Sequence, residues 1–166
     1  MRHTLSFPRH IREAVKAHVR RAVEAVSPER FQQEPAYTAA LLSRLEGVAY
    51  EGTDGSVAFR TTNVNSLGPG SAERWSGADL AITADISRGD LRVTKAILAQ
   101  AKLREPEDLA AAELGRLVAQ IQDMKRLTRS PKVLLVRELA GRREPLMVSG
   151  RVIAEGLDAR SLTLPD

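Results

Sequence analysis

The segment ILAQAKL, residues 97–103, constrains the fold more than any other stretch of the chain. Its run of small and branched apolar residues is typical of a β-strand that is covered on both faces. The same run carries Gln100 and Lys102, which project to one face because side chains two positions apart in a strand point the same way. Since polar side chains in a covered strand require partners, this segment predicts a polar site on a central sheet.

The apolar periodicity of the rest of the chain predicts the elements around that strand. Spacings of three to four residues predict three helices, which span residues 8–26, 34–46 and 107–128. Strand patterns and turn signals predict two hairpins and a buried strand, at residues 48–61, 78–103 and 132–136. The segment PLMVSGRVIAEG, residues 145–156, is expected to supply one or two edge strands. This order of elements predicts an α/β or α+β fold with a mixed central β-sheet flanked by helices.

The length and composition fit a single domain. The chain has 166 residues, of which 43% are hydrophobic, enough to bury one core. We expect a basic amphipathic helix over residues 1–28, a core over residues 29–137 and C-terminal edge strands and tail over residues 138–166. The chain has no cysteine, which excludes disulfides, thiolate metal sites and a cysteine nucleophile, and favours a cytoplasmic location.

Neither a signal peptide nor a membrane anchor is evident in the sequence. No uncharged apolar run approaches the ~20 residues that span a bilayer, so no membrane partner is expected. The formal net charge of +4 favours a polyanionic partner.

Asp79 is the third polar residue of the predicted site. It follows Gly77 and Ala78 at the start of the strand that pairs with ILAQAKL, beside a glycine-rich loop over residues 63–77. If the strand ends are in register, Asp79 meets Gln100 and Lys102 at one sheet edge. A carboxylate and an amide oxygen are hard ligands suited to Mg²⁺, and a nearby ammonium group would stabilise charge developing on a phosphate.

The letters GAD at residues 77–79 and QAK at residues 100–102 resemble the signature of the PD-(D/E)XK nuclease superfamily. The form with glutamine resembles Mrr-type restriction endonucleases and anti-phage defence nuclease domains. The resemblance covers residues 29–137 by order of elements and implies a restriction-endonuclease-like core. It implies an endonuclease that hydrolyses DNA phosphodiesters with Mg²⁺ or Mn²⁺, in restriction or anti-phage defence.

The resemblance also implies roles for four residues. Asp79 would bind the metal, Gln100 would fill the ligand position that an acid usually holds, and Lys102 would position the attacking water. Glu34, at the start of the second predicted helix, would complete the metal shell. Because glutamine replaces an acid, a second interpretation is a catalytically inactive subunit of the same fold that binds nucleic acid or a protein.

Each of these residues also has a purely structural interpretation. Asp79 would cap a strand entry, and Gln100 and Lys102 would face solvent on an edge strand. Glu34 would stabilise the first turn of its helix through the helix dipole. Glu73, six residues before Asp79, is an alternative acid for the metal shell or an ordinary loop charge. A third interpretation is that the motif match is accidental and that the protein is a small α/β scaffold. In that case Asp79, Gln100 and Lys102 would lie apart in space.

Five basic residues are the predicted nucleic-acid contacts, and they are Arg9, Arg12, Lys16, Arg74 and Lys95. The first three lie on the basic face of the first helix, which is equally interpreted as a solvated surface. No reader motif for a base sequence is evident. Specificity is therefore expected to come from a homo-oligomer or from a partner protein.

Overall fold

The computed structural model describes residues 7–64, 75–139 and 142–161. Within these ranges the chain forms four helices of three or more turns, α1 (Arg9–Glu24), α2 (Glu34–Leu45), α3 (Ala111–Leu127) and α4 (Gly150–Ser161). Two short 3₁₀ helices span Pro28–Arg30 and Pro106–Asp108. The strands are β1 (Gly47–Gly52), β2 (Gly55–Asn63), β3 (Leu80–Arg88), β4 (Leu91–Lys102), β5 (Lys132–Leu139) and β6 (Arg142–Ser149).

The six strands of the described chain form one sheet in the order β1-β2-β3-β4-β5-β6. All neighbours are antiparallel except β4 and β5, which run parallel over residues 99–102 and 132–135. Parallel neighbours need a crossover connection, and α3 supplies it. The structure is therefore a mixed α+β fold, as the sequence predicts.

Helices cover both faces of the sheet at β5, because its apolar side chains alternate between two layers. Leu134 and Val136 pack with residues of α2, including Tyr37 and Leu41. The intervening residues Val133 and Leu135 pack instead with α3 and α4, in a buried cluster that contains Leu117, Ile121, Met124 and Ala154. The strand KVLLV is thus continuous in apolar residues because both of its faces are buried.

The other half of the sheet, β1 to β3, packs against α1 through Ile11, Val57 and Ile86. A polar contact fixes the start of α1 to the turn of the first hairpin. Asp54 accepts a hydrogen bond from the hydroxyl of Tyr50 and lies 2.8 Å from Nε2 of His10. The Tyr50 hydrogen bond, reinforced by His10, lowers the pKa of Asp54 against the opposing effect of desolvation.

The C-terminal segment corrects one prediction. β6 is the predicted edge strand, but a second edge strand is wrong, because residues 150–161 form α4. The alternating residues of β6 give way to a helical spacing at Ile153 and Ala154, which pack onto α3. The amide of Gly150 also donates to the carbonyl oxygen of Pro131 at 2.9 Å, which turns the chain out of the sheet.

The remaining helix, hairpin and strand predictions are confirmed in the residues described, except at the start of α3. The sequence predicts a helix from residue 107, whereas Pro106–Asp108 form a 3₁₀ helix and α3 begins at Ala111. Of the glycine-rich loop predicted over residues 63–77, residues 65–74 lie outside the described residues. No helix in the described part of the chain has both the length and the apolar content needed to cross a bilayer.

Candidate functional site

Asp79 lies at the point where the pairing between β3 and β4 ends. Its backbone N–H donates to the carbonyl oxygen of Ala99 at 3.0 Å, and its carbonyl oxygen accepts from Val64 at 2.7 Å. Its side chain turns towards β4, where Oδ2 accepts from the backbone N–H of Ala101 at 3.0 Å and from Nε2 of Gln100. The carboxylate therefore takes the place of the next backbone acceptor of the strand ladder, and Asp79 as a whole is only 5% exposed.

Gly77 makes this position of Asp79 possible. Its φ of 70° lies in the left-handed region that glycine adopts freely. A Cβ at this residue would also collide with the backbone carbonyl of Gln120 on α3. The chain can therefore approach α3 closely and still turn into β3 within three residues.

Gln100 is buried at the centre of the sheet, opposite Val133 of β5, and is 2% exposed. Its Nε2 donates to Asp79, but its Oε1 has no hydrogen-bond partner among the described residues. A buried carbonyl oxygen without a partner costs roughly 1–3 kcal/mol, so such a group in a folded protein calls for an explanation.

Lys102 and Glu34 form the second pair of the site. Nζ of Lys102 lies 2.8 Å from Oε1 of Glu34, and the two side chains are 18% and 26% exposed. The other carboxylate oxygen, Oε2, accepts from the backbone N–H of Leu103 at 3.2 Å. Glu34 is the first residue of α2, where a carboxylate is favoured by the helix dipole, so one end of α2 is tied to the end of β4.

All four predicted catalytic residues line a single cleft of about 400 Å³. The opposite wall is a stripe of α3 that no motif in the sequence indicates, formed by Glu113, Arg116 and Gln120. These residues are three and four positions apart and therefore share one face of the helix. The cleft is also lined by Gln32, Leu103, Arg104 and Leu109.

The edge-strand interpretation of Gln100 and Lys102 is wrong, because β4 pairs with β5 at these positions and Gln100 is fully buried. The strand-cap interpretation of Asp79 agrees with its bond to the Ala101 amide. An accidental match also predicts that the motif residues lie apart, whereas they share one cleft.

The predicted nucleic-acid contacts are not part of this cleft where they are described. Arg9, Arg12 and Lys16 lie on α1, and Lys16 pairs with Glu13 at 3.0 Å on the surface. Lys95 is exposed in the first half of β4. The remaining two loop residues named from the sequence, Arg74 and the alternative acid Glu73, lie outside the described residues.

The oxygen atoms of the cleft fit a divalent metal ion in part. Asp79 and the unpartnered Oε1 of Gln100 are a carboxylate and an amide oxygen side by side, as Mg²⁺ prefers when water and phosphate complete its shell. Glu34 has both oxygens bonded to Lys102 and Leu103. Across the described chain, no three His, Cys, Asp or Glu side chains cluster closely enough to hold a metal by themselves.

No family model, curated protein or solved structure matches this chain. The functional assignment therefore rests on the geometry and chemistry of the cleft.

Proposed function

We propose that the protein is a metal-dependent nuclease that hydrolyses DNA phosphodiesters, with a core of the restriction-endonuclease type. The observation that supports the proposal most is the meeting of Asp79, Gln100, Lys102 and Glu34 in one cleft, with the buried Oε1 of Gln100 lacking a partner among the described residues. Strand spacing and hairpin register bring Asp79, Gln100 and Lys102 together, whereas Glu34 reaches them from α2, 68 residues before Lys102.

Asp79 and Gln100 would hold Mg²⁺ or Mn²⁺, and the ion would also take oxygens from water and from the substrate phosphate. A bound divalent ion lowers the pKa of coordinated water and neutralises charge on the phosphoryl oxygens. Binding there would give Oε1 of Gln100 a partner, which no described residue supplies. The exposed cleft beside it leaves room for water and phosphate ligands.

Lys102 would position the attacking water and stabilise the charge that develops on the phosphate. Its ammonium group donates hydrogen bonds and is held by Glu34 at 2.8 Å, so its direction is fixed before substrate binds. In the reaction, water adds to phosphorus, one P–O bond breaks, and a proton passes to the leaving alcohol oxygen. The products are a phosphate monoester and a hydroxyl end. Glu34 serves here as the residue that positions Lys102.

The biological setting of this chemistry is proposed on the sequence resemblance alone. That setting is a restriction or anti-phage defence function in the cytoplasm. Since the chain shows no reader motif, a homo-oligomer or a partner protein would supply target specificity.

One observation favours a second candidate function, a catalytically inactive subunit that binds nucleic acid or a protein. Oδ2 of Asp79 already accepts two hydrogen bonds, from Gln100 and Ala101. Glutamine also contributes no charge to a metal site, so the affinity for metal is lower than with two acids.

Incubation of the protein with supercoiled plasmid and linear DNA, in Mg²⁺, Mn²⁺ or EDTA, separates the two candidates. The nuclease proposal predicts cleavage with metal, none with EDTA, and none for Asp79→Asn. Absence of cleavage in every metal, with DNA binding intact, would favour the inactive subunit.

A further inference from the structure

Two arginines in the cleft have no part in the chemistry described above. Arg104 lies just beyond the end of β4 and Arg116 lies on α3, and both line the cleft and are exposed. Neither guanidinium group forms a hydrogen bond or an ion pair with any described residue. The cleft therefore presents two cations that are available to a ligand.

Both arginines stand on anchored backbone. The residues on either side of Arg104 are fixed, because the carbonyl oxygen of Leu103 accepts from Arg143 at 2.8 Å and Glu105 pairs with Arg137. Arg116 lies in the second turn of the 17-residue helix α3. Each side chain thus starts from backbone that is held on both sides, which reduces the entropy that binding would cost.

The acids of the cleft are already engaged. Glu34 pairs with Lys102, and Asp79 bonds to Gln100 and the Ala101 amide. Glu113 turns back to the start of its own helix, where it accepts weakly from the Ala110 amide at 3.4 Å. The lining of the cleft carries three acids and three basic residues, and of its cations only Lys102 has an ion-pair partner among the described residues. The guanidinium groups of Arg104 and Arg116 are therefore the cations that an anionic ligand of the cleft can pair with.

We propose that Arg104 and Arg116 bind backbone phosphates of a nucleic acid, on either side of the phosphate that lies beside Asp79. The assignment rests on the proposed function for the position of that central phosphate. Guanidinium groups suit this task because they donate two parallel hydrogen bonds to a phosphate and stay charged. The main phosphate contacts are thus placed on the cleft walls, away from the basic face of α1.

The test is fluorescence anisotropy with labelled duplex DNA in EDTA, where no cleavage interferes, for Arg104→Ala, Arg116→Ala and the matched control Arg44→Ala, an exposed arginine of α2 outside the cleft. Each cleft variant is expected to bind more weakly by about tenfold or more, the effect of losing one charged phosphate contact. The slope of log affinity against log salt should also fall by about 1 in each. Arg116→Lys should keep the wild-type slope because it keeps the charge. If Arg116 had only a structural role, the slope would not depend on whether residue 116 is charged.

Unchanged affinity in both cleft variants, an equal loss in Arg44→Ala, or no DNA binding by the wild-type protein would each overturn the inference. Thermal melts verify folding, and these exposed substitutions should change stability by no more than about 0.5 kcal/mol. If the wild-type protein cleaves DNA but both variants bind normally, the inference fails and the nuclease proposal stands. If both variants lose binding and no metal supports cleavage, the phosphate site stands and the nuclease proposal fails.

Discussion

The first and second halves of β4 belong to the same strand and have opposite surroundings. Residues 99–102 pair with β5, lie under helices and include the fully buried Gln100. Residues 91–98 pair with β3 alone among the described strands, and most of them are exposed. Lys95 and Lys102 stand in these two halves, seven residues apart, so one residue type occupies both environments.

This contrast shows why a polar residue has a different meaning at each end. In the open half, a lysine is solvated and discourages another strand from pairing with the edge. In the covered half, a buried polar atom needs a partner, and we place the metal at Oε1 of Gln100, which has none among the described residues. The functional residues are thus those that the fold buries although their chemistry favours water.

The largest effect is expected from the two lysines of β4. Lys102→Ala should reduce metal-dependent DNA cleavage by about 100-fold or more, since it removes the ammonium group that positions the attacking water and stabilises charge on the phosphate. Lys95→Ala should change the rate less than about twofold, because an exposed lysine outside the cleft does not reach the attacking water. Single-turnover cleavage rates of both variants measure the difference, and equal losses would show that the two halves do not differ in function.

The next effect concerns two glycines with positive φ. Gly77→Ala should lower the free energy of unfolding by about 2–5 kcal/mol, because it adds the left-handed strain to a collision with Gln120. Gly89, in the β3–β4 turn, has a φ of 55° and open space where a Cβ would lie. Gly89→Ala should cost only the strain, about 1–2 kcal/mol. Urea unfolding measures the loss of unfolding free energy in both variants. A larger loss in Gly89→Ala than in Gly77→Ala would contradict the prediction.

The third effect is the change in stability when a negative charge is introduced at position 100, in the covered half of β4. Gln100→Glu sets a second carboxylate beside buried Asp79, which should cost about 1–3 kcal/mol without metal. Mg²⁺ should restore the melting temperature, because a ligand that binds only the folded state stabilises it. The control Gln32→Glu adds the same charge at an exposed position of the cleft and should change stability by less than about 0.5 kcal/mol. If the melting temperature of Gln100→Glu does not change when Mg²⁺ is added, the result would count against a metal at this position.

The smallest effect concerns Asp85 on β3, which accepts a hydrogen bond from Thr94 in the open half of β4. Its pKa is lowered first by the hydrogen bond from Thr94 and then by Arg60. Asp85 therefore contributes stability above the ordinary pKa of aspartate, and the contribution disappears as pH falls through the lowered pKa. Thr94→Val should move the pKa of Asp85 back towards its ordinary value in an NMR titration. Thr83→Val, on the same face of β3, should leave it where it is.

The sequence predicted the central part of the fold well because the signals there are local. The turn at Asp54 and Gly55 and the helical stripe of α3 are patterns of neighbouring residues. Even Gln100 could be singled out, since a polar residue within an apolar strand is visible in the sequence. Its pairing with Asp79 rests on the short connection between β3 and β4, which fixes the register of a hairpin.

Other features depend on contacts that no local pattern records. α4 has β-branched residues at Val152 and Ile153, and packing on α3 decides that it is a helix. Arg104 follows the end of β4 and Arg116 lies on α3, and the crossover through α3 brings both to the cleft. Neither differs in sequence from the many surface arginines of this chain. The one available signal was the shared helical face of residues 113, 116 and 120.

The central claim is that a divalent metal binds at the covered end of β4, and the most direct measurement is line broadening of backbone amide NMR signals by Mn²⁺. We predict that the signals of Ala101 and Leu103 disappear first, while those of Thr94 and Lys95 persist at the same Mn²⁺ concentration. The effect should be absent in Asp79→Asn. Broadening that begins at residues 91–98, or that is unchanged in Asp79→Asn, would contradict metal binding at this end of the strand.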